Sequence, residues 1–367
     1  IGYQSRDVGR VLAQEPISRV EFNRDVRPIL SEGCFNCHGP NAATRQAGLR
    51  LDVPEGPTGD RGRYGGPVIV PGRADQSLLL QRITEEDERA RMPRGRAGLR
   101  PEHIETLRRW IDQGAEYQTH WAFTPPKREI PPSVADAEWP RNQIDHFILA
   151  ELENAGRTPS DETDRATLLR RVTLDLTGVP PTPTELADFL NDDSADAYEA
   201  VVDRLLQSPR YGERMATEWL DAARYADTNG YQTDGERHMW RWRDWVIDAY
   251  NENMPFDQFT IEQLAGDMLP NATESQRIAT GFHRNTMTNS EGGTDDEEFR
   301  VAAVVDRVNT TMQVWMGMTF GCAQCHSHKY DPVSQEEYYS FFAVWNQSED
   351  ADRGNESPTL KVVSEAQ

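Results

Sequence analysis

Cysteine is scarce in this chain. Its 367 residues include 4, and all of them fall in two copies of one short motif, leaving none for any other job. Long apolar runs are missing too. No stretch approaches the roughly 20 apolar residues of a membrane span, so the chain reads as not transmembrane. Cations are short: 39 Lys and Arg face 61 Asp and Glu, a net charge of −22. That balance argues against nucleic acid and anionic membranes as partners, because phosphates require clustered cations. No G-x-S-x-G, H-E-x-x-H or phosphate-loop pattern occurs, so hydrolase and nucleotide-binding readings have no support. Strand signals are sparse, and nothing repeats beyond the two short motifs. Aromatics are plentiful: 9 Trp, 12 Phe and 11 Tyr are too many for a disordered chain. The length predicts about two domains.

The two motifs are Cys34-Phe35-Asn36-Cys37-His38 and Cys322-Ala323-Gln324-Cys325-His326. C-x-x-C-H is the attachment pattern of a c-type haem, in which two thiols bind the porphyrin edge and the adjacent imidazole reaches the iron. One turn of chain spaces both sulfurs along that edge. Cys34, Cys37, Cys322 and Cys325 are thus expected to carry two covalently bound haem c groups, with His38 and His326 on iron. Structural zinc held by two C-x-x-C pairs is a competing reading. It gives no reason for a histidine after both second cysteines. Two disulfides, or two haem-free redox pairs, compete as well.

The pattern along the chain predicts a mainly α fold: a class I cytochrome c-like domain plus a larger all-helical haem-bearing domain. A polar lead covers 1–19 and the first domain 20–117. A helix over 23–33 enters the first motif, a Gly/Pro-rich irregular stretch spans 48–72, and a short amphipathic helix follows over 75–83. From Pro101, residues Ile104, Leu107, Trp110 and Ile111 form a helical stripe that stops at Gly114. Between these two helices lies Arg91-Met92-Pro93. Met92 is the domain's lone methionine and sits in a polar loop, which makes it the candidate second axial ligand rather than a core side chain. A thioether opposite histidine raises the reduction potential and closes the coordination sphere, which suits electron transfer.

A Pro-rich linker occupies 118–141 and opens with His120-Trp121-Ala122-Phe123, expected to pack on a domain. The helical domain, 142–349, carries the second motif. Helices are expected over 144–152, 163–176, 197–206, 211–225, 240–250, 261–264 and 297–318. A further helix starts at the capping box Thr182-Pro183-Thr184-Glu185. Residues 350–367 form a tail. The acidic run Glu291, Asp295, Asp296, Glu297 and Glu298 lacks the spacing of an EF-hand and is better explained as a helix N-terminus than as a Ca²⁺ site.

Several long stretches resemble a known family. Phe22-Asn23-Arg24-Asp25-Val26-Arg27-Pro28-Ile29-Leu30, the Cys34–His38 motif with Gly39-Pro40, and Ala47-Gly48-Leu49-Arg50-Leu51-Asp52 are similar to the planctomycete cytochrome c module. Residues 170–178, 281–289 and 321–332 are similar to the module that follows it in planctomycetal multidomain cytochromes, a domain of unknown function. Members usually continue into a further large C-terminal domain, so the chain reads as an N-terminal part. It begins at Ile1 without an apolar leader core and reads as a processed or trimmed product. Covalent haem attachment takes place outside the cytoplasmic membrane, which implies an exported protein, periplasmic or cell-surface.

The distal side of the second haem stays open at this level. His283 and Met287, in the polar loop 281–293, are the leading candidates, with His283 first. His238 and the group Met312, Met316 and Met318 come next, and an open site competes with all of them. His328, two residues after His326, is expected to bond a propionate or carboxylate, or to serve a neighbouring haem. The functional expectation is a di-haem cytochrome that exchanges electrons with a redox partner protein or a membrane electron acceptor. Two rival readings stand beside it. One is a di-haem enzyme, a peroxidase or substrate dehydrogenase, using His328, Lys329, Tyr330 and Asp331 as acid/base groups at the second haem. The other is a haem-bearing structural or adhesion module of a larger complex.

Overall fold

The computed structural model describes residues 19–58, 66–119, 123–349 and 357–362. Most of the polar lead, the cluster 120–122 and most of the tail lie outside the described residues. The fold is mainly α: among the described residues there is no strand, and an isolated bridge joins Thr228 to Glu236. No helix is long and apolar enough to cross a membrane among them. The chain divides into two compact units. One is Ile1–Pro125 together with Met318–Phe341; the other is Pro126–Gly317 together with Phe342–Gln367. The segment bearing the second C-x-x-C-H is thus grouped by its contacts with the first unit, whereas the sequence pattern places it within the helical domain 142–349.

In the first unit, helices Arg27–Gly33, Leu78–Ile83 and Pro101–Asp112 close around one apolar core. The predicted stripe on the last of these buries Leu107, Trp110 and Ile111, and they meet Phe22, Leu30, Leu51 and Ile69. Phe22, Trp110 and Tyr117 form a ring cluster with centroids 4.5 to 5.6 Å apart. Their polar atoms are satisfied, Trp110 Nε1 donating to the Glu116 carbonyl at 3.0 Å and Tyr117 Oη to the Leu51 carbonyl at 3.2 Å. The irregular chain between the helices is tied down by side chains. The fully buried Ser77 hydroxyl accepts from Val70 N at 2.9 Å and donates to the Arg73 carbonyl, and Ala74 N donates to Asp112 at 2.9 Å.

The second unit is built from helices throughout, and several start where the caps predict. Thr182 and Glu185 form a reciprocal capping box, and Asn142 with Asp145 forms another. Asp164, one residue beyond the expected start, caps Arg165–Thr177. Asp295 caps the 21-residue helix Asp296–Met316, accepting from Glu297 N at 2.9 Å, so this acidic run serves a helix N-terminus. The core joins Trp242, Trp245, Val246, Phe259 and Phe282, extended by edge-on contacts of Trp315 with Phe282 at 4.6 Å and with Trp219 at 5.2 Å. The Pro-rich stretch 126–141 forms no helix, as its composition predicts.

Helices Pro209–Ala222 and Trp240–Asn251 pack closely at Gly212, whose N–H donates to Asn251 Oδ1 at 2.8 Å. A Cβ there would overlap the Ile247 carbonyl and stand 2.6 Å from Asn251 Nδ2. Gly212→Ala is therefore expected to destabilise the second unit by about 3 kcal/mol, the upper range of core overpacking, in a chemical denaturation experiment. A change under about 0.5 kcal/mol would show that the helix pair adjusts freely.

Candidate haem-attachment site

The first motif grows out of a helix end. Arg27–Gly33 runs into Cys34, and a single turn, Phe35–His38, follows. Within it Cys37 N and His38 N both donate to the Cys34 carbonyl, at 3.1 and 2.8 Å. This i, i+3, i+4 turn sets Cys34 and Cys37 on one side and the imidazole just beyond. Gly39 is required next: a Cβ would overlap the Phe35 carbonyl and lie 2.8 Å from Phe35 Cβ. The chain then folds back, Gln46 N donating to the Cys37 carbonyl at 2.7 Å and Leu51 N to the His38 carbonyl at 2.8 Å. The motif is thereby clamped from both ends.

Met92 is brought to the same place. It packs with Cys34 and Leu99 against the core of the first unit, and its N–H donates to the Arg82 carbonyl at 2.9 Å. A Cβ on Gly33, the residue before Cys34, would stand 3.7 Å from Pro93 Cγ and 3.4 Å from Leu99 Cδ2. The Met-Pro loop therefore flanks the turn that carries the thiols.

The second motif has a looser setting. A 3₁₀ turn, Phe320–Gln324, carries Cys322, and Cys325 and His326 follow, all three exposed. His326 Nδ1 is 2.9 Å from the Ser327 carbonyl, so the ring tautomer with hydrogen on Nδ1 donates there and leaves Nε2 for a metal. Gln335 Nε2 and Tyr339 Oη both donate to the Gln324 carbonyl at 3.0 Å, and buried Tyr338 stacks on Phe320 at 5.3 Å. These three belong to the helix Gln335–Trp345, which the sequence pattern did not mark. The capping pair Ser334 and Glu337 at its start was the available signal.

The thiols fit haem better than they fit zinc or a redox pair. All four cysteines are free. Burial first, and Cys37 second, push the Cys34 thiol up to about 12, the opposite of the lowered pKa of a reactive redox thiol. Among the described residues no group of three or more His, Cys, Asp or Glu could hold a metal ion, so the two pairs do not combine. Thioether formation needs only one sulfur of each pair on each vinyl group, which separate pairs permit.

The remaining predicted ligands are dispersed. His283 lies in the second unit, buried, with its ring 4.0 Å from Trp345 and 5.2 Å from Phe282. Both ring nitrogens are sealed by protein atoms without a well-formed hydrogen bond, so iron ligation would require neighbouring groups to move aside. The loop around it is held by two buried arginines. Arg237 donates to the carbonyls of Thr286, at 2.5 Å, and of Arg284, while Arg307 Nε donates to the His283 carbonyl at 2.8 Å. Met287 is half exposed and lies over Gly230, and His238 is exposed. Met312 and Met316 are in the second unit, and buried Met318 is in the first. His328 is buried, and its Nδ1 accepts from the N–H groups of Asp331 and Tyr330, at 2.8 and 3.3 Å. The ring proton therefore sits on Nε2, and the Asp331 carboxylate 3.3 Å from Nδ1 is a neighbour rather than an ion-pair partner.

A helical unit with two free thiols and an imidazole on one clamped turn has the make-up of a c-type cytochrome. The family described as Planctomycete cytochrome C matches residues 34–94. The family described as Protein of unknown function (DUF1549) matches residues 143–350, more than half of the chain. The chain belongs to that second family, with a planctomycete cytochrome c module ahead of it, the order the resemblance implies. Comparison with curated proteins and with solved structures gives no match in either. The matched region 143–350 includes the second motif, so family boundaries and compact units divide the chain differently.

Burial first, and then the charge of Arg307, push the His283 pKa down from 6.5 to about 3, with a smaller opposing pull from the Leu264 backbone. The unfolded chain binds a proton at this site below about pH 6.5 and the folded chain only near pH 3. Stability contributed here is present above pH 6.5 and is lost as pH falls towards 3, at up to about 1.4 kcal/mol per pH unit. His283→Phe is expected to flatten the acid limb of a stability-versus-pH curve measured by urea denaturation. An unchanged slope would place the titration elsewhere.

Proposed function

We propose that the chain is a di-haem c-type cytochrome that transfers electrons outside the cytoplasm. Cys34 and Cys37 would hold one haem c and Cys322 and Cys325 the other, with His38 and His326 available to the irons and Met92 as a second ligand at the first. When bound, the haems supply one-electron redox chemistry at iron. The observation that carries this reading is that both motifs lie in one compact unit. Arg27, in the helix leading to the first motif, donates through Nε and Nη2 to the carbonyl of Tyr330, four residues beyond His326, at 3.1 and 2.8 Å.

The two sites have different tasks in this reading. Met92, packed on the same core as Cys34, would supply a thioether that raises the potential and closes the coordination sphere. Cys322, Cys325 and His326 are exposed, which suits exchange with a redox partner protein or a membrane acceptor. The same exposure, with both His283 ring nitrogens enclosed by protein, favours a second reading in which the second iron would keep an open position and act on a small substrate. Covalent attachment implies export to the periplasm or cell surface.

Intact mass and visible spectra of the purified chain test the proposal. Two covalent haem additions are expected. Cys322→Ser should leave a single thioether on the second haem, and an unchanged mass with no haem at all would sink the di-haem reading. Met92→Ala should remove the sulfur-to-iron charge-transfer band and lower one midpoint potential. An identical spectrum would take Met92 off the iron. A wholly low-spin wild-type spectrum fits a carrier, whereas a high-spin fraction that binds cyanide fits the second reading.

A further inference from the structure

A cavity of about 570 Å³ lies within the first unit, between the chain around the first motif and the segment that follows the second. Its size is that of a small-molecule site. Phe35, from inside the first motif, and Val53, Pro54 and Val333 give it apolar walls. The charged groups on its lining are unevenly matched. Asp52 is bound by Arg50, whose Nε donates to Oδ1 at 3.1 Å, and Glu337 accepts from the Ser334 N–H and hydroxyl at 2.7 and 2.8 Å. Asp331 sits beside its neighbour His328. The cations are not all so engaged. Half-buried Arg27 spends Nε and Nη2 on the Tyr330 carbonyl, and Lys329 lies over the Tyr330 ring at 4.8 Å. Among the described residues neither has a carboxylate within ion-pair distance. His328, its side chain 6% exposed, has Nδ1 committed to backbone N–H groups, which leaves its Nε2–H to donate.

We propose that this cavity is a carboxylate-binding site, with the anion held by Arg27 and Lys329 and the ligand's apolar part against Phe35 and Val333. A guanidinium partly withdrawn from water gains most from a charge-assisted hydrogen bond, and its fork geometry matches a carboxylate. Burial lowers the Arg27 pKa, Asp52 and Asp331 offset this only in part, and a bound carboxylate would add to that compensation. With an overall charge of −22, anion binding here would depend on these two local cations and not on a general basic surface. The carboxylate has two possible sources, a free organic acid or a propionate of a haem held by one of the motifs.

Titration calorimetry of the purified full chain with succinate at low ionic strength, with sodium chloride as control, separates these sources. Saturable binding that Arg27→Gln weakens at least tenfold, and Lys329→Gln several-fold, supports a free acid. No succinate binding, together with a shifted haem midpoint potential in both variants, supports a propionate occupant. Lys329 packs into no core, so Lys329→Gln keeps the test readable if Arg27→Gln unfolds. Succinate binding unchanged in the variants overturns the proposal, as does no binding with no shift in potential. The calorimetric arm requires no redox-active haem, so its failure is distinguishable from failure of the cytochrome reading.

Discussion

Two hydrogen bonds from one guanidinium to one carbonyl join residues 303 positions apart, Arg27 and Tyr330. A bond from a charged donor is worth up to about 1.5–3 kcal/mol net, less where it is open to solvent as here. Loop-closure entropy grows only with the logarithm of the separation, so even this long closure is within reach of a modest contact area. The contact matters because of where its ends lie. One is in the helix that feeds the first C-x-x-C-H; the other lies just past the second. The cavity beside Phe35 lies between these two segments, and the proposed electron-transfer role draws on both motifs being in one unit.

The two motifs have the same chemistry in different mechanical settings. The first is a turn between a buried helix and a folded-back strap, with Met92, Cys34 and Leu99 on one apolar core. Close packing against that core limits movement of the turn, while Cys37 itself stays exposed. The second has exposed thiols on a turn anchored by buried Phe320 and Ala323 and by hydrogen bonds from Gln335 and Tyr339 to the Gln324 carbonyl. Hydrogen bonds near solvent hold a turn less stiffly than a filled core. The two settings differ in packing and not in access, since each motif has an exposed cysteine.

The second unit uses buried charge for another purpose. Arg237 and Arg307 reach into the 281–289 segment and satisfy its carbonyls, while Arg224 pairs with Asp306. A short 3₁₀ turn, Thr280–Arg284, and the irregular chain after it must find such partners when buried. His283, Asn285 and Thr288 are therefore polar groups inside a packed block, and their resemblance to a ligand loop in the sequence reflects that demand. The histidine remains neutral because its surroundings are aromatic and cationic.

What was legible in the sequence was local. The C-x-x-C-H turns, the stripe on Pro101–Asp112, the caps at Thr182 and Asp295 and the loop position of Met92 depend on residues within a few positions of one another. Hydrogen-bonded turns and helical periodicity act over that range, so spacing alone predicts them. Tertiary structure decided the rest. The grouping of 318–341 with the first unit, the enclosure of His283 by Trp345 and the commitment of His328 Nδ1 to a following turn all rest on neighbours that the spacing does not announce. Residue type determined which chemistry the chain carries. Burial and long-range pairing, which depend on the whole packed chain, decided where each group stands and what it can reach.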